Sequence, residues 1–220
     1  MSLPFDTLVQ YLLQNLGVTL YMVAITMVIS GFIGLVLGIV LYGTRPGRFL
    51  QNRAVYDVVS LLVNIFRPIP FVILVFAIGP LTRLVIGTTI GDAAAIFAMV
   101  IGGAFFIGRI VEQNLVSIDP GVIEAAQAMG ASRFTIVRRV LLRESLAPLI
   151  LGYTFIFIAI VDMSAMVGTV GGGGLGNFAL VYGYQRFNWV VTYSAVVVII
   201  VLVQIVQLFG NWLARRAEHV

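Results

Sequence analysis

The chain has 220 residues, 60% of them hydrophobic and only 10% charged, against about a quarter charged for a soluble domain. That excludes a water-soluble fold and leaves a membrane domain of several helices, each needing about 20 apolar residues. The net charge of +4 comes from 13 basic residues, all Arg, scattered between hydrophobic blocks, so nucleic acid is not an expected partner. With no Cys and a single, near-terminal His219, no metal site and no catalytic residue is expected.

In chain order, the N-terminus shows no basic n-region and no small-residue cleavage site, so the first apolar block reads as a span and not as a signal peptide. That block, residues 16–42, is 27 residues long without an ionisable charge. It crosses a bilayer with some tilt. Gly31, Gly34 and Gly38 recur along it, either as a close-packing face or as the ordinary glycine enrichment of membrane helices. The second region, residues 58–79, is interrupted by Asn64, Arg67, Pro68 and Pro70. Two prolines forbid regular helical bonding there, so a kink or break is expected. Arg67 has three readings: a partner for Asp57, a lining of the inner gate, or a side chain snorkelling to phosphates.

The third region, residues 90–108, carries Asp92 near one end. At its other end Arg109 and Glu112 are three apart and face each other on a helix, either at the junction of a pore with the following loop or as a solvated ion pair. The fourth region, residues 149–170, carries Asp162 about midway, where a carboxylate is costly unless paired, protonated or facing water. Asp162 and its neighbour Met163 are candidates for a pore or gate, and a structural contact of Asp162 to Ser164, Tyr153 or a neighbouring helix is the alternative. The fifth region is residues 190–212. The expected fold is all-α: one polytopic domain over residues 1–220 with five spans, or four or six if the interrupted second region counts differently.

Arginines set the orientation. Arg45, Arg48 and Arg53, then Arg133, Arg138, Arg139 and Arg143, then Arg215 and Arg216 all fall on one side if there are five spans. The positive-inside rule makes that side cytoplasmic, with the N-terminus outside and the C-terminus inside.

Residues 111–147, between the third and fourth regions, are too patterned for a plain connection. Asp119 can cap a helix whose first residue is Pro120, where a missing N–H costs nothing. Gly130 stands where a left-handed cap would end that helix, and Ser132 can cap a second one. The pair has two readings: a plug for a partner's groove, or a pair of helices lying on the lipid surface with Arg at the headgroups. Further on, the run Gly171-Gly172-Gly173-Gly174 lacks the Gly-Lys-Ser/Thr ending of a phosphate loop, so it reads as an outer turn. Tyr182, Tyr184 and Trp189 beside it are interfacial anchors or docking residues.

Glu124-Ala125-Ala126 followed by Gly130 resembles the EAA loop of ABC-importer permeases, with Arg143 where the family pattern has Pro. More closely, the chain is similar to the permeases of bacterial methionine importers. That likeness rests on Leu41-Tyr42-Gly43-Thr44-Arg45-Pro46-Gly47, Asn64-Ile65-Phe66-Arg67-Pro68-Ile69-Pro70-Phe71, Glu124 to Ala131, Gly172-Gly173-Gly174-Leu175-Gly176, and Tyr182-Gly183-Tyr184. The resemblance implies a type I importer permease in the inner membrane that pairs with a second copy and moves methionine, D- or L-, by alternating access. It implies coupling to a separate ATPase, which binds the ATP and Mg, through Glu124, Ala125, Ala126, Gly130, Ala131 and Arg133. It also implies delivery by a substrate-binding protein, which would meet Gly173, Gly174, Leu175, Tyr182 and Tyr184. A permease of the same architecture for another small solute is the alternative.

Overall fold

The computed structural model describes residues 4–217; His219 lies outside them. Among the described residues every regular element is helical. The chain runs α1 (Phe5–Thr44), α2 (Arg53–Phe66), α3 (Phe71–Ala77), α4 (Gly79–Ile86), α5 (Asp92–Val116) and α6 (Pro120–Ala128). Next come α7 (Arg133–Thr135), a π turn (Ile136–Leu141), α8 (Leu142–Glu144) and α9 (Leu146–Met166). A 3-10 turn (Val167–Val170), α10 (Gly174–Asn177), a second π turn (Phe178–Gly183), a 3-10 turn (Tyr184–Arg186) and α11 (Trp189–Ala217) complete it.

The helices α1, α5, α9 and α11 are each long and apolar enough to cross a membrane; α2 and α3, bent by 106° at their break, add a fifth apolar segment that is either a broken span or a re-entrant loop. The break falls at Arg67–Pro70, where Pro68 and Pro70 supply no N–H and the last turn closes through Ile69 N–H to the Phe66 carbonyl at 3.3 Å. Helix α1 begins at Phe5, well before residue 16. Gln10, Gln14 and Asn15 are polar but do not break a helix, and Leu8 and Leu12 pack on Phe178, Val191 and Ala195. The result is a helix about 60 Å long, twice the hydrocarbon thickness of about 30 Å. Helix α5 likewise continues through residues 111–116, which the sequence assigns to the loop, because the Arg109–Glu112 pair lets the helix run on without a bare buried charge.

The core is built on α1 and α5, which run parallel. Gly34 lies against Ile107 and the Ala104 carbonyl, and Gly38 against Val111 and the Gly108 carbonyl; a methyl group at either glycine would overlap the facing side chain. The glycines are therefore a close-packing face. Gly31 completes it by accepting a 2.7 Å hydrogen bond from the Tyr153 hydroxyl of α9. Helix α9 is antiparallel to α5, fixed by Asn114 Nδ2 donating to the Pro148 carbonyl at 3.1 Å and by Gly152 against Ile110. Helix α11 returns antiparallel to α9, with Gly210 against Thr154. The C-terminal ends of α1, α5 and α11 and the N-terminal end of α9 thus share one end of the bundle.

Candidate functional site

At that end the segment between α5 and α9 forms a helix pair. The Asp119 carboxylate accepts from Gly121 N–H at 2.8 Å and Pro120 is the first helical residue of α6. Gly130 sits at φ 78°, a conformation that strains any side chain, and Ser132 Oγ accepts from Thr135 N–H at 3.2 Å. Every local signal for a turned helix pair lies within a few residues, which is why the sequence reveals it.

The two faces of the pair differ. Ile123, Ala126, Ile136 and Leu141 are buried and join the main core. Ala126 therefore anchors α6 to the bundle, while Glu124, Ala125 and Arg133 are exposed. Met129 and Phe134 flank the Gly130 turn at 81% and 71% exposure. Both belong to the candidate coupling face; Phe134 lies outside the matched motif, and Met129 lies within it without being one of the residues the motif singles out. The second helix does not stop at Arg143: it continues through α8 and breaks at Ser145, whose Oγ donates back to the Leu141 carbonyl at 2.6 Å.

At the opposite end the glycine-rich turn is sewn to two distant helices. Asp92 Oδ1 accepts from Gly173 N–H at 2.7 Å, and Thr19 Oγ1 accepts from Leu175 N–H at 2.9 Å. Gly174 adopts φ 88° with Thr19 pressed against it, and Gly176 lies on the Ala165 backbone. Leu175 and Gly174 are buried, which removes them from the expected docking surface: their contacts run inward, to α1 and α9. Gly173 is half-buried and tied to Asp92. Tyr182 and Tyr184 are exposed; Tyr182 stacks with Tyr11 and carries Arg186 over its ring at 4.7 Å, and Tyr184 meets Trp189 edge-on.

The candidate path residues are not gathered in one place. Arg67 is exposed at the break after α2, and of its three readings the pair with Asp57 is not formed: Asp57 lies 3.7 Å from Arg53, one turn away on the same helix. Arg109 Nη1 donates to Glu112 Oε2 at 2.6 Å; Glu112 is buried and Arg109 half-buried, so only the Arg109 side of the pair is open to solvent. With Arg45, Gln113 and Val116 it lines a small cavity of about 150 Å³. Met163 packs on the core. Asp162 is exposed on the surface of the single chain. Neither expected structural partner is available to it: Ser164 Oγ donates to the Val161 carbonyl at 2.6 Å, and Tyr153 is taken by Gly31.

A larger cleft of about 1070 Å³ opens at the outer end, between α3 and α4 on one side and Val170 and Gly171 on the other, with Arg83 on its wall. Among the described residues no group of acidic, His or Cys side chains is placed to hold a metal.

Comparison with known proteins gives consistent matches. The family model described as "binding-protein-dependent transport system inner membrane component" matches residues 34–219. A probable D-methionine transport system permease protein, MetI, of Vibrio cholerae serotype O1 is 40% identical over 99% of this chain and 100% of its own. The methionine import system permease protein MetP of Bacillus subtilis is 46% identical over 78% of this chain and 77% of its own. Among solved structures, a chain of the inward-facing MetNI methionine ABC transporter superposes with a TM-score of 0.94 at 41% identity, covering 99% of both chains. A chain of an amino acid ABC transporter crystallised with histidines matches at 0.78 and 19% identity, a likeness of fold alone.

Proposed function

The chain belongs to the family of binding-protein-dependent transport system inner membrane components, and within it we propose that it is the membrane-spanning permease of an ATP-driven methionine importer. It is a multi-pass protein of the inner membrane. The observation that carries the proposal is the match to methionine-transporter chains along nearly the whole length at about two-fifths identity. The bundle of four long apolar helices and one broken apolar pair, with a capped helix pair at one end, supports it.

In this reading residues 1–220 are one transmembrane domain. Two copies flank a central path, with the N-terminus periplasmic and the arginine-rich C-terminal end cytoplasmic. A separate ATPase binds ATP and Mg and supplies the energy. The turn between α6 and α7 enters a cleft on that subunit, with Glu124, Ala125, Gly130, Ala131 and Arg133 at the contact, Met129 and Phe134 as its apolar anchors, and Ala126 as the tie to the bundle. A substrate-binding protein docks at the other end, near Tyr182 and Tyr184. Arg67, Arg109 and Asp162 are assigned to the path and its inner gate. ATP binding draws the two coupling turns together and opens the outer side; hydrolysis resets the cycle. Substrate outside and nucleotide inside are then linked through two global states.

The test is methionine uptake into proteoliposomes holding this chain, its neighbouring ATPase and its neighbouring binding protein. ATP-dependent uptake that leucine and histidine do not compete is the expected result. ATP hydrolysis without methionine uptake would leave the importer architecture and overturn the substrate, pointing to another small solute.

A further inference from the structure

Asp162 occupies an unusual level in the bundle. The antiparallel register of α9 on α5, set by Asn114–Pro148 and Ile110–Gly152, carries forward to place Asp162 beside Val100. At 1.5 Å per residue that is about 12 Å from Asp92 and about 18 Å from Glu112 along α5. Asp92 and Glu112 are themselves about 30 Å apart, the thickness of a hydrocarbon core. Asp162 therefore sits within a turn of the midpoint between those two charges, which is the membrane midplane if they mark its two faces. It is the sole Asp, Glu, Lys or Arg on α9, and none lies between Asp6 and Thr44 on α1 or between Asp92 and Arg109 on α5.

Its direction is as telling as its depth. Ile156, Ile160, Val161 and Ser164 are the buried residues of the central part of α9, while Thr154 faces Gly210 of α11. Leu151, Phe155 and Asp162 form an exposed stripe along α9 that borders α5, where Phe155 meets Phe106 at 6.3 Å. No hydrogen bond or ion pair to the Asp162 carboxylate occurs among the described residues. A carboxylate turned to lipid at this depth costs about 2.5–3.5 kcal/mol on insertion scales. Two of them closed dry against each other across a two-fold axis would repel. A water-filled path removes both penalties, and the outer cleft opens at Val170, two turns further out along the same chain.

We propose that Asp162 is the translocation path's contact for the ammonium group of its substrate, so that passage requires a free, protonated amine. This rests on the reading of the chain as an amino-acid importer. The two copies place two such carboxylates at midplane, where a zwitterion leaving the outer cleft exchanges hydration of its amine for a charge-assisted hydrogen bond. Anionic solutes meet like charge at the same point.

Two measurements on the complete permease–ATPase complex test it. The chain has no cysteine, so Asp162→Cys is a unique reporter of water. A charged, membrane-impermeant methanethiosulfonate should label the permease at that site, because only a hydrated thiol ionises to react; an unreactive thiol in every nucleotide state overturns the proposal. In proteoliposomes, Asp162→Asn should lower methionine uptake per ATP hydrolysed at least about tenfold, as for loss of a hydrogen bond to a charged group, and Asp162→Glu should restore most of it. A structural role would tolerate the isosteric amide. Wild-type uptake with an unchanged Asp162→Asn ratio overturns this inference alone. Absent uptake by the wild type overturns the methionine reading and this inference with it.

Discussion

The two ends of the bundle each carry a helix break, and they stabilise it in opposite ways. The outer turn is held by the rest of the protein: Asp92 and Thr19, far away in sequence, accept from its backbone, and Leu175 is buried beneath it. The inner helix pair is capped by its own residues, through Asp119, Gly130 and Ser132, rests on the core through Ile123, Ala126, Ile136 and Leu141, and leaves Met129 and Phe134 uncovered. An end closed by internal contacts is complete in the single chain. An end capped locally but apolar at its tip is stable alone and awaits a partner. Substitutions at the first should damage the fold, and at the second should damage assembly.

The sharpest break of that contrast is Gly176→Val. Its side chain would meet the Ala165 backbone, which cannot move aside as a flexible side chain does. A loss of more than about 3 kcal/mol, beyond ordinary overpacking, is expected as a collapse of the detergent-solubilised melting temperature. Asp92→Ala removes the charged acceptor of Gly173 N–H and should cost about 1.5–3 kcal/mol, with faster amide exchange confined to residues 171–176. If exchange at the helix pair rises equally, the two ends are not independent.

At the inner end, Met129→Ala with Phe134→Ala should leave the melting temperature of the isolated permease near wild type, since both side chains are exposed. Each should weaken binding of the ATPase by about 1–2 kcal/mol, roughly tenfold, in a titration of purified subunits. Thr19→Val keeps shape but leaves the buried Leu175 N–H without its acceptor, for about 1–3 kcal/mol of thermal stability and no change in ATPase affinity. A fall in ATPase affinity on Thr19→Val would contradict the division between the ends.

The same contrast explains what was legible in the sequence. Local devices are readable because their parts are neighbours: Pro120 after Asp119, Gly130 before Ser132, and the break at Pro68 and Pro70. The outer clasp is not, because Thr19 and Leu175 are 156 residues apart and nothing in the pattern around either names the other. For that reason Gly174 and Leu175 read as docking surface when they are buried. The extension of α1 back to Phe5 was hidden by Gln10, Gln14 and Asn15, whose polarity ends a hydrophobic run without ending a helix. Arg67 and Asp57 were plausible partners by charge, yet ten residues of chain, most of it helical, separate them, and Arg53 is one turn from Asp57. The depth of Asp162 could be counted along its own helix, but the side it faces required α1, α5 and α11 to be in place.

The most direct measurement is methionine accumulation in proteoliposomes carrying the ATPase, the binding protein and either the wild-type chain or the Met129→Ala, Phe134→Ala chain. ATP-dependent accumulation by the wild type, with a loss of roughly tenfold or more in the variant at unchanged thermal stability, is the predicted result. Undiminished accumulation by the variant, or ATP hydrolysis by the wild-type complex with no methionine inside, would contradict the account.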